Sequence, residues 1–394
     1  MPPALEVFLV FLRLGLTSFG GPVAHLGYFR RSIVAQRGWM TETQYSALVA
    51  LCQVLPGPAS SQTGFGIGLL RCGWSGGIAA WAGFTLPSAL LMFAFAMNAG
   101  RLQAWRFGPG LLHGLQIAAT AVVAQAVYGM ARSLCPDIPR RCLAALSLLL
   151  LFLLPGTMGQ LLVILLGALI GRAVLATPEP RPARPAAPGL AASAAATALA
   201  LFCILLLVAF LPATGALALF DAFYRSGALV FGGGHVVLPL LHDAVVRPGW
   251  VAQPLFLAGY GAAQAMPGPL FCFAAYLGAL SSTGPMGPAG AAIALLGIFL
   301  PGLLLTAGIL PFWHGLRQHP GLAAALNGVN AAVLGLLAFA FIGILTHGAI
   351  RTPFDALFAM IALTLLATAR LNPVFVVAGC AAAGLLMSAA LPLT

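Results

Sequence analysis

The sequence predicts an all-α polytopic membrane protein made of two homologous halves, each of about six helical segments, joined by one linker helix. Three observations predict it. Of 394 residues, 61% are hydrophobic and only 6% charged, with a mean hydropathy of +1.02, whereas soluble domains carry about 25% charged residues. Apolar segments recur along the whole length, far beyond what one signal peptide would supply, and Met1 to Glu6 lacks the basic start of such a peptide. Finally, a pair of helix-breaking motifs occurs twice, at nearly constant spacing.

In chain order, the first apolar stretch runs from Leu5 to Phe19 and ends at Phe19-Gly20-Gly21-Pro22. At roughly 22 Å of helix it is short for a span. A re-entrant turn is therefore favoured over a crossing, which would leave the N-terminus and Arg30 on the same, cytoplasmic side. Tyr45 to Leu70 is split by Pro56-Gly57-Pro58 into two half-length pieces. Each proline removes a backbone donor and disfavours helix in the residue before it. Ile78 to Met97 and Leu111 to Met130 read as full spans, and Leu143 to Leu154 with Leu161 to Leu175 as a hairpin around Pro155-Gly156. Thr177 to Gly189 is a proline-rich linker, expected to be extended and solvated. Leu190 to Leu211 adds one apolar helix. The resulting division is 1–175, first repeat; 176–211, linker and connecting helix; 212–394, second repeat.

The repeat is explicit. Phe11-x-Arg13-x-Gly15-x3-Phe19-Gly20-Gly21 returns as Phe223-x-Arg225-x-Gly227-x3-Phe231-Gly232-Gly233, 212 residues on. Gln53-x-x-Pro56-Gly57-Pro58 returns as Gln264-x-x-Pro267-Gly268-Pro269 at 211, and Gly114-Leu115-Gln116 as Gly328-Val329-Asn330 at 214. Arginines mark cytoplasmic loops. They crowd one set of first-half loops (Arg30, Arg71, Arg132 to Arg141, Arg172 to Arg184), but the cognate second-half loops hold only Arg247 and Arg351. An odd helix between the halves would reverse the second, so an inverted repeat is expected.

The net charge of +11 comes from 18 arginines and no lysines. They sit mostly between apolar segments, and no nucleic-acid motif accompanies them. The 7 cysteines form no C-x-x-C pair, so neither a disulfide framework nor a metal site is expected. The chain has no Gly-x4-Gly-Lys-Ser/Thr loop and no catalytic constellation, so neither ATP-driven transport by this chain alone nor an enzyme is expected. No cofactor is expected.

The duplicated breaks are the candidate site. A proline kink standing alone serves packing; two copies, one per half, point to the binding site of a carrier built from repeats. Such irregular backbone is tolerated at membrane depth only when surrounded by protein or by a water-filled cavity. Ser60, Ser61, Gln62 and Thr63 follow the first break and open a helix, whose N-terminus attracts anions. The second break lacks those hydroxyls. Arg13 and Arg225 lie mid-segment, where a charge needs a partner or a cavity, and a guanidinium can donate to two oxygens of an oxyanion. A snorkelling or capping arginine is the plainer alternative. Glu6 and Asp221, near the starts of the same helices, are candidate partners or proton carriers. The glycine pairs Gly20-Gly21 and Gly232-Gly233 permit close approach of a ligand. His25, His235, Gln116 and Asn330 are cavity or coupling candidates.

Together, Phe19-Gly20-Gly21-Pro22, Gln53-x-x-Pro56-Gly57-Pro58 and their second copies resemble the chromate ion transporter family in its long two-domain form, over nearly the whole chain. The resemblance implies a multi-pass carrier of the bacterial inner membrane that exports chromate and confers resistance, with sulfate as the isosteric competitor. An anion carrier with chromate as an incidental substrate, a passive anion channel and an intramembrane phosphate-binding enzyme are the alternatives. The expected partners are the oxyanion and the bilayer, with no nucleic acid; the reading leaves room for a homodimer.

Overall fold

The computed structural model describes residues 2–175, 191–313, 320–346, 350–368 and 371–390. The expected linker, Thr177 to Gly189, lies outside them. The first half comprises α1 (Pro3–Thr17), α2 (Gly21–Phe29) with a π-helical continuation (Arg30–Gln36), α3 (Glu42–Val54), α4 (Ala59–Met97), α5 (Ala99–Ala104), α6 (Gly108–Leu134), α7 (Ile138–Leu153) and α8 (Thr157–Val174). α9 (Ala192–Val208) connects the halves. The second comprises α10 (Gly215–Ala228), α11 (Val237–Leu241), α12 (Gln253–Ala265), α13 (Phe273–Leu280), α14 (Gly287–Ile309), α15 (Pro320–Thr346), α16 (Pro353–Ala367) and α17 (Pro373–Ala390). Among the described residues every element is helical, and five stretches are long and apolar enough to cross a membrane: Ala59–Met97, Gly108–Leu134, Thr157–Val174, Gly287–Phe312 and Gly321–Thr346.

α4 is two helices in one. Cys72 and Gly73 leave helical geometry, Gly73 at φ 64°, so 59–71 and 74–97 run in different directions. The piece 59–71 folds back against α3, with Gly66 leaving the room that Leu48 fills. α1 and α2 likewise form a hairpin in which Phe11 meets Phe29 edge-on at 5.4 Å. The bases of both hairpins meet: Glu6 reaches Arg71 at 3.8 Å, and the Arg71 guanidinium lies 4.9 Å over the Trp39 ring. Both hairpins therefore enter from one face and return to it, so the breaks are re-entrant tips. In the second half, Ser282 N–H donates to the Trp250 carbonyl at 3.0 Å and Gly284 lies against Gly215, which joins the cognate bases.

The second half enters from the opposite face. Segment 74–97 starts at the first-half bases; along it Ser88 meets Cys272, and further on Phe95 stacks on Tyr276 at 5.3 Å. α13 therefore heads for its own base as α4 leaves the first face, and the repeat is inverted. The closing hairpins are exchanged between halves. Gly167 and Gly171 of α8 lie against Gly328 of α15, and Leu143 and Ala144 of α7 pack with Ala331 and Leu334. Reciprocally, α17 lays Cys380 and Gly384 against Gly114 and Gly110 of α6, and Asp355 of α16 bonds His113 at 2.9 Å. Arg30, Arg31, Arg37, Arg71, Arg132, Arg140, Arg141 and Arg172 fall on the first face, and Arg101, Arg106, Arg247 and Arg351 on the second.

Candidate functional site

The four tips meet reciprocally. Gly57 N–H donates to the Val230 carbonyl at 2.8 Å, and Gly268 N–H to the Ser18 carbonyl, also at 2.8 Å. Each Pro-Gly-Pro tip is thus tied to the Phe-Gly-Gly loop of the opposite half. Gly57 has φ 121° and Gly268 φ 85°, a region that side chains rarely adopt. A Cβ would also be crowded at the first tip, 3.1 Å from Gly302 Cα, and would collide at the second, 2.6 Å from Ser88 Oγ. Glycine is required at both by conformation and by proximity.

At the first tip, Pro58 caps α4 without a side-chain bond. Ser60 and Ser61 are buried, and the Ser61 hydroxyl has no protein partner. Gln62, fully buried, donates to the Pro56 carbonyl at 2.9 Å and lies 3.2 Å from the Gly302 carbonyl. It ties the broken backbone to α14. At the second tip, the position of Ser61 is taken by Cys272. Its sulfur lies 3.1 Å from Ser88 Oγ, and its thiol reaches the Thr85 carbonyl at 3.4 Å. A hydroxyl missing from the second break is thus supplied by Ser88 of α4, so both tips draw on the first half for hydroxyls. Gln62 belongs to the polar run after the first break, whereas nothing in the sequence marks Thr85, Ser88 or Cys272 as tip residues. Thr85, Ser88 and Cys272 become polar neighbours of a tip only by folding.

The remaining candidates separate. Gln53 is exposed, whereas Gln264 is half-buried with no partner for its amide nitrogen. Arg13 is exposed on the outer side of α1 with no hydrogen bond or ion pair among the described residues, and Glu6 pairs with Arg71 instead of Arg13. Arg225 donates to the Ala209 carbonyl at 2.6 Å, lies 5.7 Å over the Phe210 ring and lines a cavity. Asp221, one turn earlier, is 3% exposed with Oδ2 unpartnered. His25 is buried beside Phe84 with both ring nitrogens unpartnered, and His235 Nδ1 lies 2.9 Å from the Tyr260 hydroxyl. Gln116 donates across the halves to the Pro254 carbonyl at 3.3 Å, and its counterpart Asn330 lies beside Gly232. Burial without a protein partner, at Ser18, His25, Ser61, Thr85 and Gln264, gathers near the crossed tips.

Inverted halves with re-entrant tips meeting at their interface define the architecture of a membrane transporter built from repeats. The sequence profile of the chromate transporter family matches residues 5–172 and again 217–385, and the chain belongs to that family. It is 28% identical over 362 residues to the chromate transport protein of Pseudomonas aeruginosa, covering 90% of this chain and 84% of that one. It is 27% identical over 382 residues to the chromate transport protein of Cupriavidus metallidurans, covering 96% and 92%. An uncharacterized transporter of Bacillus subtilis is 34% identical over 161 residues, covering 40% of this chain and 79% of its own length. No solved structure matches.

Proposed function

We propose that the protein is a secondary active transporter that exports chromate across the bacterial inner membrane by alternating access and so confers chromate resistance. The observation that carries this reading is the reciprocal pair of bonds, Gly57 to Val230 and Gly268 to Ser18, which joins the broken segments of two inverted halves at one level. A dianion held there meets backbone N–H groups at the start of α4 and the partnerless polar groups of both tips. Tilting one set of hairpins against the other would open the tips to either face in turn. In this reading the coupling proton is carried by Asp221, His25 or His235. The arginine-rich first face is the cytoplasmic one by the positive-inside rule.

The test is chromate uptake into everted membrane vesicles, with and without an uncoupler. Energised uptake abolished by the uncoupler is expected, and uptake that ignores the proton gradient overturns the coupling. Labelled sulfate in the same vesicles separates a chromate carrier from a general oxyanion carrier: translocation of sulfate with equal efficiency would make the narrower assignment wrong.

A further inference from the structure

A cavity of ≈310 Å³ lies on the arginine-poor side, between the Arg247 loop and Leu229, the residue before Val230 of the first crossing. Three elements line it: the start of α8 with Thr157 and Gln160, α10 with Arg225, and the segment after α11 with Asp243, Arg247 and Trp250. Arg225 reaches it from the helix and Arg247 from the loop. The Arg247 guanidinium occupies the space left by the missing side chain of Gly156, and it makes no hydrogen bond or ion pair among the described residues. The single carboxylate, Asp243, pairs with neither arginine; its Oδ2 accepts from Gln160 Nε2 at 2.6 Å. α8 is an 18-residue helix with no side-chain cap, so its first N–H groups and its positive dipole end add to the two cations.

We infer that this cavity is an oxyanion-binding vestibule, with Arg225 and Arg247 as the cationic clamp and Asp243 as the opposing charge. Its ligand class is a doubly charged tetrahedral oxyanion, since two guanidiniums and a helix N-terminus outweigh one carboxylate and offer divergent donors. The site is one-sided. The first-half counterparts of Asp243, Arg247 and Ser226 are Ser32, Gln36 and Leu14, and only Arg13 and Trp39 keep their identity. The inference rests on the carrier reading above for the choice of ligand, but not for the site's existence.

The experiment is equilibrium binding of sulfate and chromate to the purified full chain in lipid nanodiscs, read by calorimetry and by Trp250 fluorescence, with chloride as the control ion. The expected result is a Trp250 signal lost in Trp250→Phe, affinity weakened at least about tenfold in Arg247→Gln, and affinity strengthened in Asp243→Asn. Gln36→Ala, at the counterpart position, should bind as wild type. Unchanged affinity in Arg247→Gln, weaker binding in Asp243→Asn, or no oxyanion binding by wild type overturns the vestibule. Because Arg247 is exposed, its variant is expected to fold, and a monodisperse elution profile checks this. Energised uptake that persists in vesicles while these binding predictions fail would sink the vestibule alone; normal binding with no uptake would sink only the carrier reading.

Discussion

The first and second Pro-Gly-Pro tips share one backbone and differ in what surrounds it. Each donates a glycine N–H to the other half's loop at the same 2.8 Å, so the geometry of the crossing is symmetric. The first tip is bordered by its own Ser60, Ser61 and Gln62, whereas Phe271, Cys272 and Phe273 stand at the second. The second tip borrows polarity from Thr85 and Ser88 on α4. Duplication has thus preserved the crossing of the chain and let the side chains diverge, with the first half furnishing both tips.

That comparison can be broken most severely at the shared element. Gly57→Val and Gly268→Val each force a side chain into positive φ, at roughly 1–3 kcal/mol of strain before any collision. Both should abolish energised chromate uptake and lower the melting temperature. If only one does, the crossing is not functionally reciprocal. Gln62→Leu removes a buried amide that serves two carbonyls, and a loss of about 1–3 kcal/mol is expected, read as reduced thermal stability in detergent; the counterpart Phe273→Leu should leave the first tip's contacts intact.

A smaller effect separates the two arginines. Arg225→Lys loses a fork that bonds Ala209 and faces the cavity, so transport should fall several-fold, while Arg13→Lys on the exposed side of α1 should stay near wild type. Equal loss in both would return Arg13 to the transport path. The smallest change is expected from Glu6→Gln. Its pairing with Arg71 is long, at 3.8 Å, and half-exposed, so stability should shift by less than about 1 kcal/mol in thermal melts.

Much of the architecture was legible because its punctuation is chemical. Pro-Gly-Pro and Phe-Gly-Gly cannot continue a helix, and their recurrence gave the halves, while the arginines suggested the inversion; that the Pro-Gly-Pro breaks turn back rather than interrupt a span emerges only from the fold. The inversion also explains why the arginine bias fades in the second half: Arg247 and Arg351 fall on the face that was already poor in arginine. What could not be read is what joins distant backbone. The exchange of α7–α8 and α16–α17 rests on glycines such as Gly114 and Gly328, which leave no side chain to signal a partner. Arg13 and Arg225 occupy equivalent positions, yet only Arg225 is covered, because the unpaired helix α9 ends beside it at Ala209. Arg247 looked like an ordinary loop charge until Gly156 of the other half gave it a seat.

The exchanged hairpins carry a consequence for how the protein is made. α6 is synthesised early, but the helices that clasp it, α16 and α17, are the last described segments to leave the ribosome. A first half without them would leave the α6 surface at Gly110 and Gly114 uncovered. A chain truncated after α15 would keep that surface uncovered, and faster degradation in the membrane is the expected outcome.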